Sequence, residues 1–260
     1  MSSGAPGALT ALSVNLNKVA LLRNQRHTGM PDVLAAARTV LDAGAAGITV
    51  HPRPDQRHIR HDDVVPLAKL VADRGDPSIE YNIEGYPDER FLTLVEEARP
   101  HQVTLVPDAP DQATSDHGWD LPATAEMLTP VVKRLKDQGF RVALFADPVP
   151  AVIEGAKAVG ADRVELYTGR YFDAHRDGKG AQSLLGFVEA ATLARQLGLG
   201  VNAGHDLTLD NLGDFCAAIP WLAEVSIGHA ITADALERGF AGAVRAYLAV
   251  IANAQAGAAA

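Results

Sequence analysis

The chain has 260 residues, of which 47% are hydrophobic and 21% are charged, and its formal net charge at pH 7 is −9. This length and composition are typical of a soluble globular protein that buries one large core. Nucleic acid is not an expected partner of so acidic a chain, because a phosphate backbone requires a basic surface. Small phosphorylated substrates remain possible partners, since a few arginines and backbone N–H groups are enough to hold them.

The first residues, MSSGAPGALTALSV, lack the basic region and long apolar run of a secretory signal. No stretch reaches the roughly 18 apolar residues that a membrane span requires. We therefore expect a cytoplasmic protein without a membrane partner. The single cysteine, Cys216, lies in the apolar segment LGDFCAAI, which favours a buried structural thiol. We expect one domain over residues 1–260, with flexible tails at about 1–10 and 254–260.

Short runs rich in β-branched residues alternate with longer segments of helical periodicity along the whole chain. Segments such as PDVLAAARTVLDAG and AEMLTPVVKRLKDQG predict helices, and several of them end at a glycine just before the next strand. Eight runs predict strands, with bounds Leu12–Leu16, Gly47–His51, Ser78–Ile83, Gln102–Pro107, Arg141–Asp147, Arg163–Gly169, Gly200–His205 and Glu224–His229.

Eight strand–helix units with short connections predict a parallel sheet that closes on itself, an α/β fold of the (β/α)8 TIM-barrel type. The alternative is an open, doubly wound sheet, which would normally carry a glycine-rich phosphate loop after its first strand. That loop is absent from the sequence. Two connections, Asp108–Leu121 and Arg170–Ala181, are longer than a barrel needs. Both follow carboxyl ends of strands, so they are candidate lids or simple surface insertions.

Histidines close three of the predicted strands: His51 ends the second, His205 the seventh and His229 the eighth. The carboxyl ends of barrel strands converge on one mouth, where barrel enzymes have their active sites. A single histidine at such a place is often structural. Three at matching ends favour proton transfer, because the imidazole pKa lies near neutrality.

Glu80 and Glu165 lie inside strongly apolar predicted strands. Burial raises the pKa of a carboxyl group, which suits it to acid–base catalysis. The alternative for each is a structural ion pair with a neighbouring arginine. We expect no metal site, because the sequence has no HxH or HExxH pattern and no cluster of aspartates.

Phosphate binding is predicted beside the seventh and eighth strands, where Gly204-His205 and Gly228-His229 precede predicted helices. Glycine allows a ligand to approach the backbone, and a helix N-terminus attracts anions. Arg26 and Arg53 supply further positive charge, and Arg53 follows a strand-end histidine by two residues.

Eight motifs in this order and spacing carry a resemblance to a known family. They are VNLNKVALLRNQR, GITVHPRPDQRHI, SIEYNIEG, TLVPD, TSDHGWD, RVELYTG, VNAGHDLT and SIGHAIT. From about Leu12 to about Ile251, the sequence resembles the pyridoxine 5′-phosphate synthases of the deoxyxylulose-dependent vitamin B6 pathway. The resemblance implies a β/α barrel with extra helices, a homo-octamer, and no metal or organic cofactor. It also implies condensation of 1-deoxy-D-xylulose 5-phosphate with 3-amino-2-oxopropyl phosphate.

The resemblance also implies roles for individual residues. His51 matches a general base, Glu80 a second proton acceptor, His205 a proton donor and Glu165 a carboxylate that stabilises a transition state. Positions that match contacts to the amino-ketone phosphate are Asn15, Arg26, Asp206 (through its backbone), Gly228 and His229. Positions that match contacts to the deoxyxylulose phosphate are Arg53, His58 and Thr114.

One pair departs from the family pattern, because Asn17-Lys18 stands where many members have Asp-His. We expect both residues still to contact the sugar phosphate. Lys18 also leaves two alternatives open. The chain could be a Schiff-base aldolase that uses this amine as its nucleophile, or a non-catalytic barrel that binds phosphorylated metabolites.

Overall fold

The computed structural model describes residues 9–108, 112 and 114–258. Eight parallel strands form a closed barrel in chain order, and β8 pairs with β1 to complete it. The strands are β1 Ala11–Asn15, β2 Gly47–Val50, β3 Glu80–Gly85, β4 Gln102–Leu105, β5 Arg141–Ala146, β6 Arg163–Tyr167, β7 Gly200–Gly204 and β8 Glu224–Ile227. The predicted α/β barrel is therefore confirmed.

Helices surround the barrel, and among the described residues three connections carry an extra helix: those after β1, β6 and β8. In the described part of the chain the helices are α1 Asn17–Asn24, α2 Val33–Asp42, α3 His61–Asp73, α4 Glu89–Ala98, α5 Leu121–Asp137, α6 Pro150–Ala158, α7 Gly169–Arg176, α8 Gly180–Gln196, α9 Leu212–Ala218, α10 His229–Arg238 and α11 Phe240–Ala258. None of these helices combines the length and apolar character that a membrane crossing requires.

The strands are buried on both faces, as expected for a parallel sheet covered by helices. Every residue of β2, β4 and β8 is buried. Cys216 is also buried, as predicted, and burial raises the pKa of its thiol to about 12.

The interior of the barrel is unusually polar, since branched aliphatic side chains fill most barrels. The hydroxyl groups of Ser13 and Thr49 are 2.7 Å apart, and the Thr104 hydroxyl donates to Asn82 Oδ1 at 3.1 Å. All four side chains are buried. The barrel therefore provides a polar floor beneath its open end.

The prediction of a long loop over Arg170–Ala181 was wrong, because most of this segment is helix α7, followed by a short turn to α8. Tyr171 anchors α7: it is fully buried, and its hydroxyl donates to the Asn211 carbonyl at 3.0 Å. Its ring contacts Phe187 and Phe215. This segment is a packed element and not a long free loop.

The flexible C-terminal tail was predicted to begin at about Ala254, but α11 continues to Ala258. Gln255 joins this helix to the start of β1: its Oε1 accepts from the Thr10 N–H and its Nε2 donates to the Thr10 hydroxyl, both at 2.9 Å. The remaining tail residues, 1–8 and 259–260, lie outside the described residues. So do residues 109–111 and 113 of the predicted Asp108–Leu121 loop, for which closure over the site stays a prediction.

Candidate active site

A cavity of about 360 Å³ opens at the carboxyl ends of the barrel strands. Twelve of the fourteen predicted site residues line it: Asn15, Asn17, Lys18, His51, Arg53, His58, Thr114, Glu165, His205, Asp206, Gly228 and His229. Five further residues complete the lining: Glu84, Val106, Ser115, Phe145 and Ser226. Strand-end position and the family resemblance together therefore predicted most of the cavity lining.

His51 is held at the tip of β2 by the junction between β1 and α1. Asn17 Oδ1 accepts from the His51 N–H at 2.9 Å, and Asn15 Oδ1 accepts from the Asn17 N–H at 2.9 Å. The His51 side chain is buried, and burial, followed by the positive charge of Arg53, lowers its pKa well below the usual value. His51 is therefore a neutral imidazole at physiological pH, the form that accepts a proton.

His58 lies beside His51, with the ring centroids 6.0 Å apart. Burial, then the charges of Arg53 and Lys18, lower the pKa of His58 to about 4. Its Nδ1 accepts from the Ile59 N–H at 2.9 Å. The neutral ring therefore carries its hydrogen on Nε2, which can donate to a ligand.

Arg53 is buried and ties the loop after β4 to the cavity wall. Its guanidinium forms an ion pair with the buried Asp108 and donates to the Gln112 carbonyl at 2.7 Å. Ser115 also donates to Asp108, at 2.6 Å. Arg53 therefore organises this wall of the cavity as well as contributing positive charge to it.

Glu165 projects from β6 into the cavity and is only 2% exposed. Gly204 on the neighbouring strand makes room for it, because a Cβ atom there would lie 2.2 Å from Glu165 Oε1. Burial, followed by the negative charge of Glu224, raises the pKa of Glu165 to about 8. Glu165 therefore holds a proton at neutral pH.

Glu84, near the end of β3, lines the cavity although the sequence analysis assigned it no role. The Asn15 amide donates to its Oε2 at 3.3 Å. Burial, followed by the charge of Glu165, raises the pKa of Glu84 well above its usual value. The signal was present in the sequence: Glu84 stands two residues nearer the carboxyl end of the strand than Asn82, on the same face.

Glu80, which we expected in the site, begins β3 and lies at the opposite end of the barrel. It forms a two-point ion pair with Arg141, the first residue of β5. Burial acts to raise the pKa of Glu80, but the hydrogen bond and charge of Arg141 outweigh it and the pKa is lowered. The structural ion pair, the alternative that the sequence left open, is the correct interpretation.

Arg26, the other exception, is exposed and does not line the cavity. It follows α1, eight residues after Lys18, and a helix rises about 1.5 Å per residue. The predicted contact of Arg26 with phosphate therefore stays a prediction.

The eighth strand leads directly into α10, which begins at His229. Gly228 precedes it and packs closely on Asn15, whose Cβ would lie 3.1 Å from a Cβ at position 228. The positive end of the α10 dipole therefore lies beside the cavity, an arrangement that favours a phosphate group. Among the described residues, no group of three histidine, cysteine or acidic side chains is arranged to hold a metal ion.

Known proteins resemble this chain over nearly its whole length. Residues 12–253 match the family described as pyridoxal phosphate biosynthesis protein PdxJ. The chain belongs to this family. It is therefore an enzyme of the transferase type.

Two relatives illustrate the similarity. A pyridoxine 5′-phosphate synthase of Brucella abortus (strain S19) is 57% identical over 243 residues, which cover 93% of this chain and 98% of that protein. The pyridoxine 5′-phosphate synthase of Mesorhizobium japonicum is 56% identical over 238 residues, which cover 91% of this chain and 96% of that protein. The thiamine phosphate pyrophosphorylase of Pyrococcus furiosus shares the fold alone, with a TM-score of 0.58, 11% identity, and coverage of 95% of this chain and 96% of that one.

The raised pKa of Glu165 predicts how stability depends on pH. A carboxyl that titrates near pH 4.5 when unfolded and near 8 when folded weakens the folded state increasingly between these values. Glu165→Gln removes this ionisation. The difference between the free energies of unfolding of the Glu165→Gln variant and of the wild type should therefore depend on pH. Variant minus wild type, it should increase from about pH 5 to about pH 8, by at most about 1.4 kcal/mol per pH unit. Urea unfolding at several pH values measures this difference.

Glu126→Gln, at an exposed position on α5, is the control and should give a difference that does not vary with pH. A flat difference for Glu165→Gln as well would contradict the protonated state of Glu165.

Proposed function

We propose that the chain is a pyridoxine 5′-phosphate synthase that joins 1-deoxy-D-xylulose 5-phosphate to 3-amino-2-oxopropyl phosphate. The products are pyridoxine 5′-phosphate, inorganic phosphate and water. The full-length match to relatives that carry this name supports the proposal most strongly. The cavity supports it independently, because neutral imidazoles and protonated carboxyl groups line the same space.

The reaction requires imine formation, proton shifts at carbon, loss of phosphate, ring closure and dehydration. Each of these steps moves a proton between substrate and a nearby group. His51 is the proposed base, because its neutral ring accepts a proton without first losing one. His205 is the proposed donor, and Glu84 replaces Glu80 as the second group that exchanges protons with substrate. Glu165 stabilises positive charge that develops in the imine when its own proton is lost.

The two phosphates are the proposed anchors of the substrates. Gly228 and His229, at the N-terminus of α10, suit the amino-ketone phosphate. Lys18, His58 and Thr114 suit the sugar phosphate. Asn17 has a further role that the sequence did not suggest, because its side-chain oxygen already holds the His51 backbone. A homo-octamer is proposed from the family resemblance.

Incubation with both substrates tests the proposal. We expect pyridoxine 5′-phosphate and inorganic phosphate in equal amounts, and no product when either substrate is omitted. His51→Asn should lower kcat by at least about 100-fold, the usual contribution of a placed acid or base. Chromatography with fluorescence detection and a phosphate assay follow the two products.

The synthase of Brucella abortus, assayed in parallel, is the positive control. Absence of product from this chain under conditions in which the control is active would overturn the proposal. A covalent adduct at Lys18 after borohydride treatment with substrate would favour the aldolase alternative instead.

The two glutamates of β3 give a matched test of the corrected site. Glu84→Gln should lower kcat about 100-fold with little change in stability, because Gln cannot exchange a proton. Glu80→Gln should leave kcat within about threefold and lower the free energy of unfolding by about 1 to 3 kcal/mol, because it weakens a charged hydrogen-bonded pair. Steady-state kinetics and urea unfolding of both variants measure these effects. The reverse pattern would restore Glu80 to the catalytic group.

A further inference from the structure

Both ring nitrogens of His205 have a partner. Nδ1 lies 2.7 Å from Asp206 Oδ2, and Nε2 lies 2.9 Å from the Thr114 hydroxyl. All three side chains line the cavity. An ionised carboxylate can only accept a hydrogen bond, so the contact to Asp206 requires a hydrogen on Nδ1.

The backbone that carries this pair has an uncommon conformation. The φ angles of His205 and Asp206 are +80° and +58°. These values lie in the left-handed region, which residues other than glycine rarely adopt. Buried polar side chains hold the backbone there: Thr168 donates to the carbonyls of Gly204 and His205, and Asn211 donates to the Asp206 carbonyl at 3.2 Å. The rest of the fold therefore fixes the pair in its strained geometry.

The surroundings of Asp206 keep it ionised. The hydrogen bond from His205 is the largest influence and lowers the pKa of Asp206, whereas partial burial acts in the opposite direction. The charges of His205, His229 and Lys18 lower the pKa further. Tyr167 also faces this carboxylate, since the charge of Asp206 contributes to the raised pKa of Tyr167.

We propose that Asp206 is a positioning residue, whose carboxylate keeps a proton on His205 Nδ1 and so assigns proton exchange with substrate to Nε2. A histidine whose second nitrogen is held by a carboxylate has a fixed tautomer and ring orientation. This role rests on the proposed synthase function. It goes beyond the backbone contact to substrate that the family resemblance implies for Asp206.

The proton transfer is balanced within this arrangement. The protonated ring gives the Nε2 hydrogen to a leaving hydroxyl or phosphate oxygen of the substrate, where the Thr114 hydroxyl now lies. The ring that remains is neutral, with its hydrogen on Nδ1 and a lone pair on Nε2, and Asp206 stays ionised. A later proton released from substrate carbon returns to the same Nε2.

Two variants separate this role from folding. Asp206→Asn keeps the shape, and asparagine tolerates a positive φ, but its NH2 group can donate to Nδ1 and so favours the wrong tautomer. Asp206→Gly fits the backbone and removes the carboxylate altogether. Each should lower kcat by about 10- to 100-fold and leave KM for both substrates within about threefold. Asp210 is an exposed aspartate on the same loop. The control substitution Asp210→Asn removes its charge and should keep the wild-type kcat.

Nitrogen-15 NMR of the unliganded protein, labelled at histidine, reads the tautomer directly. The neutral His205 ring, assigned by loss of its signals in His205→Gln, should carry its hydrogen on Nδ1 in the wild type and on Nε2 in Asp206→Asn. A wild-type kcat in either variant would overturn the proposal. So would a reduced kcat in Asp206→Asn with an unchanged tautomer, because Asp206 would then act in some other way.

The same measurements distinguish this proposal from the proposed function. If the wild type shows no synthase turnover, the function fails, whereas the tautomer measurement still reports whether Asp206 directs the ring. If the wild type turns over and the variants equal it, only the positioning role fails.

Discussion

Removal of carboxyl groups from water at the open end of the barrel is the constraint on which the site depends. Glu165 is buried, with the Thr104 hydroxyl 3.5 Å away, Gly204 packed against its Oε1 and the carboxyl group of Glu224 nearby. Glu84 receives an amide hydrogen from Asn15. Neither contact supplies the full positive charge that would compensate a buried carboxylate, so both groups keep their protons at neutral pH. The buried arginine beside them, Arg53, is already paired with Asp108.

The pKa values of the barrel glutamates differ with the partners of each side chain. At the amino end, Glu80 meets the guanidinium of Arg141 and is ionised. Glu224 and Arg163 also begin their strands, and Arg163 lies 3.5 Å from Glu224 but only partly offsets its burial, so that the pKa of Glu224 is raised to about 7. At the cavity, Glu165 titrates still higher. A two-point arginine partner therefore distinguishes the ionised Glu80 from Glu165, whose pKa is raised.

Periodicity in the sequence was sufficient to predict the barrel, and strand ends together with the family resemblance predicted most of the cavity lining, because strand ends in a closed parallel sheet must converge. It could not separate Glu80 from Glu84, since both occupy inward positions of one strand and differ only in depth. Arg26 follows α1, is exposed and does not line the cavity, so its contact with phosphate stays a prediction. The helix around Tyr171 was read as a loop because its stability comes from aromatic packing with distant segments. The contact of Asp206 with its neighbouring histidine depends on a left-handed backbone, which the sequence does not reveal.

The central claim is that Glu165 and Glu84 are protonated at neutral pH, beside a neutral His51. Infrared difference spectroscopy measures this state directly, because a protonated carboxyl has a carbonyl stretching band that a carboxylate lacks. At pH 7 the wild type should show this band. Part of it should be absent from Glu165→Gln and another part from Glu84→Gln, and the Glu165 part should disappear from the wild type as the pH rises through about 8. A wild-type spectrum at pH 7 in which neither substitution removes any protonated-carboxyl absorption would contradict the account.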